Sequence, residues 1–202
     1  MSLTNASHIA FRDRQLLATG NLLAVATAVK RESASLASIL VFALDSGRQL
    51  DLDLSGSDAD LQQRYGEVVE SADSSASAAN IAAAAKPGRG RGRPKLGVVG
   101  REVTLLPRHW QWLDTQSGGA SAALRRLVEQ AAKENSAKDA IRQSQDSAHR
   151  FMTAIAGDLR GFEEAIRALF ACDKESIKRH MASWPADIRA CALHLASGIF
   201  PK

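Results

Sequence analysis

The chain has 202 residues, a formal net charge of +4 and a composition that is 45% hydrophobic and 24% charged, which is the mix of an ordinary globular protein with an apolar core. It contains no apolar run of about 18 residues or more, so no membrane-spanning helix is expected. The N-terminus lacks the pattern of a secretory signal, and the two cysteines, Cys172 and Cys191, favour a reduced, cytoplasmic setting.

The positive charge is concentrated in the middle of the chain. Residues 1–85 carry 6 basic and 10 acidic side chains, residues 86–135 carry 10 and 4, and residues 136–202 carry 10 and 8. Residues 86–101 alone hold 6 basic side chains and no acidic one. A charge asymmetry of this kind indicates contact with a polyanion, and nucleic acid is the first candidate.

Residues 1–70 alternate short apolar runs with turn residues and predict a ββαββ domain. The strands are expected at residues 8–11, 15–18, 38–44 and 48–54. Asn21 is suited to cap the helix between the two strand pairs, and Ser57 with Asp60 predicts a capping box for a short second helix. Asp51 and Asp53 alternate with leucines in the last strand, and we interpret them as solvent-facing rather than as a metal or acid–base pair.

The rest of the chain divides by composition. Residues 71–97 are rich in Ser and Ala, then in Gly, Arg and Pro, and predict a flexible basic linker. Residues 136–202 show helical periodicity, with helix starts near Asp158, Asp173 and Pro185, and predict a helical bundle. The expected fold class is α+β, with domains at 1–70, 98–135 and 136–202 around the linker.

The centre of the basic segment reads Arg-Gly-Arg-Gly-Arg-Pro-Lys over residues 89–95. Arginines spaced by glycine form a narrow ribbon, and the A·T minor groove is narrow, negative and free of the guanine amino group. The motif resembles the AT-hook of high-mobility-group A proteins, whose core is matched by Gly92-Arg93-Pro94. A solvated basic linker and an RNA-binding Gly–Arg segment are the alternatives.

The AT-hook resemblance implies contact with A·T-rich DNA at two depths. Arg91 and Arg93 would reach the floor of the minor groove, while Lys86, Arg89 and Lys95 would contact phosphates.

Residues 98–135 predict a strand, a helix, a Gly-containing turn and a second helix. Val103 and Leu105 are expected on one side of the strand and Glu102 and Thr104 on the other. Pro107 is suited to begin the first helix, and Ser121 is suited to cap the second. This order resembles the ribbon-helix-helix family of bacterial DNA-binding proteins, in which two chains pair their strands into a ribbon that enters the major groove.

The ribbon-helix-helix resemblance implies a homodimer through residues 98–135, with Thr104 and Glu102 facing the groove near Arg101 and the amides of Ala120 and Ser121 on phosphate. Glu102 departs from the pattern, since a carboxylate repels phosphates. The implied dimer core consists of Val103, Leu105, Trp110, Leu113, Leu124, Leu127 and Val128. A helix-turn-helix and a segment that only builds a domain core remain alternatives.

Along its whole length the sequence is similar to a bacterial family of uncharacterised proteins, domain-of-unknown-function family 2239. The similarity is carried by residues 91–99, 101–110, 118–128, 151–158 and 184–189.

Nucleophile-elbow, phosphate-loop and dinucleotide fingerprints are missing, so we expect neither enzyme activity nor a cofactor or metal. The leading hypothesis is a cytoplasmic, nucleoid-associated or transcription-regulatory DNA-binding protein, and the alternative is a protein-interaction or scaffold module.

Overall fold

The computed structural model describes residues 6–32, 39–66 and 99–200, and it confirms an α+β fold. Within those residues the elements are β1 (His8–Arg12), β2 (Gln15–Gly20), α1 (Leu22–Arg31), β3 (Ile39–Ala43), β4 (Gln49–Leu50), α2 (Asp58–Tyr65), α3 (Pro107–Asp114), α4 (Gly119–Ala156), α5 (Phe162–Phe170), α6 (Lys174–His180) and α7 (Ala186–Leu195), with a 3-10 turn over Ala196–Ile199. None of these helices is long and apolar enough to cross a membrane.

The predicted ββαββ order is confirmed, and its four strands form one antiparallel sheet in the order β2-β1-β3-β4. The β1–β2 hairpin turns on Asp13 and Arg14, whose φ angles are 49° and 69°. Two positive φ angles in a two-residue loop match the right-handed twist of the strands. The two helix-start predictions also hold, since Asn21 accepts from the amide of Ala24 at 2.9 Å and Ser57 forms a capping box with Asp60.

The two faces of the sheet bury different sets of side chains. Alternation along β1 sends Ala10 to one face, where it joins Val41 of β3 and the α1 residues Val25 and Val29 in a small core. The neighbouring β1 position, Phe11, belongs to a larger core with the C-terminal helices. Because both faces are covered, β1 is buried along its centre, which explains its continuous apolar run.

Three phenylalanines connect the sheet to the C-terminal helices. Phe11 of β1 and Phe42 of β3 lie 5.6 and 4.9 Å from the ring of Phe151 in α4, measured between ring centroids. The sequence suggested separate domains for residues 1–70 and 136–202, but the described residues 6–32, 39–66 and 134–200 share one hydrophobic core and form one compact unit, which we call unit 1. The sheet and the helical bundle each have an apolar face, and each face covers the other.

The last predicted strand, residues 48–54, is wrong beyond Leu50. The backbone after Leu50 is bonded by side chains of α2 instead of by a strand: Asp53 donates its amide to Tyr65 Oη at 2.8 Å, and Arg64 donates to the Asp53 carbonyl at 2.9 Å. Asp51 and Asp53 therefore do not share a sheet face. The Asp53 carboxylate accepts hydrogen bonds from the amide and hydroxyl of Ser55, two residues further on, and so holds a local turn. These bonds, together with the nearby charge of Arg64, lower the pKa of Asp53.

The C-terminal helical region is confirmed, with shifted boundaries. Asp173 caps α6 by accepting from the Ser176 amide at 3.0 Å, as predicted. The predicted start at Asp158 is wrong, because α5 begins at Phe162 after Gly161, whose φ of 84° turns the chain close to the carbonyl of His180. Pro185 precedes α7 rather than forming its first residue. Residues 119–156 form one continuous helix, without a break at residue 136.

Truncating Phe151 tests the shared core. Phe151→Ala should lower the free energy of unfolding by about 3–5 kcal/mol, because it leaves a cavity at the junction of sheet and helices. Urea unfolding measures the loss, and Phe170→Ala is the control, since Phe170 is 50% exposed. Hydrogen exchange of β1 and α7 amides should accelerate together in the variant; acceleration confined to α7 would contradict a single unit.

The two cysteines should differ in reactivity. Cys172 is exposed, whereas Cys191 is buried in α7, and burial raises the pKa of its thiol to about 12. Because the thiolate is the reacting form, Ellman's reagent at pH about 8 should label Cys172 rapidly and Cys191 only after denaturation. Cys172→Ser should abolish the rapid phase, and two rapid thiols in the native chain would contradict the burial of Cys191.

Candidate nucleic-acid interface

Residues 99–133 are described as a second unit, separate from unit 1, and we call them unit 2. It contains α3, a turn and the first turns of α4. Pro107 occupies the start of α3 as predicted, because a proline there has no amide hydrogen that the helix would need. Gly118, with a φ of 84°, then turns the chain into α4.

The predicted cap at Ser121 is wrong. α4 begins at Gly119, so Ser121 lies inside its first turn, and its carbonyl accepts from Arg125 Nε at 3.2 Å. The positive φ at Gly118 ends the loop between α3 and α4, so the helix begins two residues before Ser121. The amides of Ala120 and Ser121 still belong to the first helical turn, where backbone N–H groups have no partner inside the helix.

The predicted strand over residues 102–105 is also wrong for the single chain, since residues 99–106 form neither helix nor strand. A strand is defined by hydrogen bonds to a neighbouring strand, and no other strand of the described chain pairs with this segment. Glu102 and Thr104 are both exposed.

Unit 2 leaves much of its apolar surface uncovered. Leu113 and Ala123 are buried, at 2% exposure each. Of the eight large hydrophobic side chains that are exposed in the described segments, seven lie here, with the following exposures: Val99 76%, Val103 53%, Leu106 49%, Trp110 39%, Trp112 51%, Leu127 43% and Val128 65%. So many exposed apolar side chains are unusual for a segment of this size, and we call these seven residues the apolar face of unit 2.

An apolar cleft of about 280 Å³ opens between α3 and α4. It is lined by Leu105, His109, Trp112, Leu113, Leu124 and Leu127. The sequence singled out four of these as dimer-core residues but missed Trp112 and His109. A helical projection could have found them, since the tryptophans at positions 110 and 112 point to different sides of α3 and so make more than one side of the helix apolar.

The basic side chains of unit 2 are accessible. Arg101, Arg108, Arg125 and Arg126 are all exposed, and so are the site residues predicted from the sequence in this unit, Thr104 and Ser121. The structure therefore places them on the surface, where a polyanion could reach them. The other predicted DNA-binding residues lie outside the described residues: Lys86, Arg89, Arg91, Gly92, Arg93, Pro94 and Lys95.

Metal-ligating side chains do not gather anywhere in residues 6–32, 39–66 and 99–200: no three of His, Cys, Asp and Glu are close enough to hold an ion.

The family similarity seen in the sequence is confirmed. The chain belongs to a family described as an uncharacterized protein conserved in bacteria, domain-of-unknown-function family 2239, whose model matches residues 7–196. The match covers unit 1, unit 2 and the basic segment alike. No curated protein and no solved structure matches the chain.

Proposed function

We propose that the protein binds DNA as a nucleoid-associated or transcription-regulatory factor and that it contacts A·T-rich duplex through residues 86–101. The observation that carries this proposal is the density of charge, with 6 basic and no acidic side chains in that segment. Its centre, Gly92-Arg93-Pro94, has the chemistry of a minor-groove ribbon. Expected localisation is the cytoplasm, at the nucleoid.

Charge and shape have separate roles in this proposal. The lysines and outer arginines would neutralise phosphates and release counterions, which supplies affinity without sequence preference. Arg91 and Arg93 would enter the minor groove, where the negative potential is strongest in narrow A·T tracts. The glycines between the arginines let the backbone approach the groove closely, and Pro94 limits the backbone freedom lost on binding.

Unit 2 would supply the second element of the proposal, a homodimer. Burying the apolar face against a second copy would cover its exposed tryptophans, and pairing of residues 102–105 between two chains would satisfy backbone groups that have no strand partner in one chain. A dimer also carries two basic segments, so the second contact with DNA becomes intramolecular and the pair binds more tightly than either alone.

Replacing Arg93 tests the minor-groove contact. Arg93→Ala should weaken binding to an A·T-rich duplex at least tenfold, and binding to a G·C-rich duplex much less, when both are measured by fluorescence anisotropy. The wild-type affinity should fall with salt at a log–log slope of up to about −5, and the variant should reduce the slope by about 1. Arg160→Ala, an exposed arginine of unit 1, is the control. Equal losses on both duplexes would overturn the minor-groove contact.

A charge on the apolar face tests the dimer. Leu127→Asp should convert a particle of twice 21.6 kDa into the monomer, as measured by size-exclusion chromatography with light scattering, because a carboxylate cannot be buried unpaired at the interface. Phe170→Asp is the matched control, since Phe170 of unit 1 is 50% exposed and Leu127 is 43% exposed. A wild-type monomer at all concentrations would argue against self-association.

The apolar face also favours a second candidate function, a protein-interaction module. Trp112 is 51% exposed beside an apolar cleft, and aromatic side chains in such clefts dominate protein interfaces. In that case the basic segment is only solvated, and neither duplex should bind with an affinity that depends on Arg93.

A further inference from the structure

Unit 1 contains a polar cleft of about 260 Å³ where the β3–β4 turn meets α4 and the end of α7. Six polar side chains line it: Asp45, Gln143, Ser144, Ser147, His194 and Ser197. They come from three separate segments of the chain, since Gln143 follows Asp45 by 98 positions and His194 follows Ser147 by 47. No sequence motif signals this cluster.

The walls of the cleft are held by close backbone approaches. Gly47 has a φ of 65°, and a Cβ there would lie 1.9 Å from the carbonyl oxygen of Ser147, so only glycine lets the turn sit on α4. The turn is further bonded by Arg150, which donates to the Ser46 carbonyl at 3.0 Å. At the opposite wall a Cβ on Gly198 would lie 2.3 Å from Ser144 Oγ.

The chemistry of the cleft is that of one anion among hydroxyls. Asp45 is the one carboxylate among the lining side chains; it is exposed, and within the described segments it forms no salt bridge. Burial lowers the pKa of the neighbouring His8, although the charge of Asp45 raises it, so His8 is largely neutral there. Among the described residues, no cationic side chain therefore lies within salt-bridge distance of the Asp45 carboxylate.

We propose that this cleft binds a small molecule that carries one ammonium group and several hydroxyls. The ammonium would pair with Asp45, and the hydroxyls of Ser144 and Ser197, the Gln143 amide and the His194 imidazole would exchange hydrogen bonds with ligand hydroxyls. The hydroxyl of Ser147 is buried and donates to the Asp45 carbonyl at 3.4 Å, so it holds the turn instead. Pockets for drug-sized ligands have volumes of about 300–1,000 Å³. The cleft, at about 260 Å³, is slightly smaller and therefore suits a molecule about as large as a monosaccharide. This site does not depend on the proposed DNA-binding function.

The side-chain set argues against an anionic ligand and against a purely apolar one. A phosphate or carboxylate would face Asp45 without a lining lysine or arginine to offset the repulsion. An apolar ligand would leave the hydroxyls and the amide without partners in place of water.

The test uses the full-length chain and three sugars of matched shape: glucosamine, N-acetylglucosamine and glucose. Titration calorimetry and amide chemical shifts should show saturable binding of glucosamine at residues 44–45, 140–147 and 194–197, at least tenfold tighter than glucose or N-acetylglucosamine, which lack the charge. Failure of glucosamine to bind, or equal affinity for the three sugars, would overturn the proposal.

Variants separate the cleft from general effects. Asp45→Asn should weaken glucosamine binding at least tenfold, and Ser197→Ala should weaken it about threefold. Asp51→Asn, which removes an exposed carboxylate of unit 1 outside the cleft, should leave binding unchanged. An unchanged affinity for glucosamine in both cleft variants would overturn the proposed site. If Asp45→Asn fails to fold, the comparison of the three sugars on the wild-type chain decides whether the cleft binds an ammonium group. None of these measurements contains DNA, so their outcome is distinct from that of the duplex titrations.

Discussion

The packing of Phe151 against Phe11 and Phe42 is the constraint on which the architecture of unit 1 depends. The three rings lie within 6.3 Å of one another between centroids and come from β1, β3 and α4. Their burial covers the sheet face that α1 leaves open. Because α4 must reach this contact, the C-terminal helices pack on the sheet, and the polar cleft arises where the β3–β4 turn meets them. The ion pair of Arg14 with Asp158 joins the hairpin to the end of α4 as well.

The two units differ in what they leave uncovered. Unit 1 buries its large apolar side chains well, and among them only Phe170 is strongly exposed in the described residues. Unit 2 keeps seven exposed and has little core of its own, with Leu113 and Ala123 as its buried apolar residues. A segment that small gains stability when its apolar face is covered, and for this reason we connect unit 2 with association. Unit 1 has no such need, and its proposed role rests on the polar cleft instead.

Local structure could be predicted wherever one residue type satisfies one backbone requirement. Asn21, Ser57 and Asp173 cap helices because their side-chain oxygens accept from free amides, and Pro107 begins α3 because it has no amide to lose. Prediction failed where a tertiary partner decides. Residues 51–54 have the alternation of a strand, yet the backbone of Asp53 bonds to Tyr65 and Arg64 of α2. Ser121 is a typical cap residue, yet Gly118 turns the chain before it.

The sequence by itself determined the α+β class, the ββαββ order, the helical C-terminal region, the family and the concentration of net positive charge in residues 86–101. These follow from periodicity, capping chemistry and composition, which act over a few residues. Only the tertiary structure decided that the N-terminal sheet and the C-terminal helices share one core and that Asp45, Ser144 and His194 line one cleft. Such contacts join residues that are 50 or more positions apart, and no local pattern encodes which distant apolar faces will cover each other.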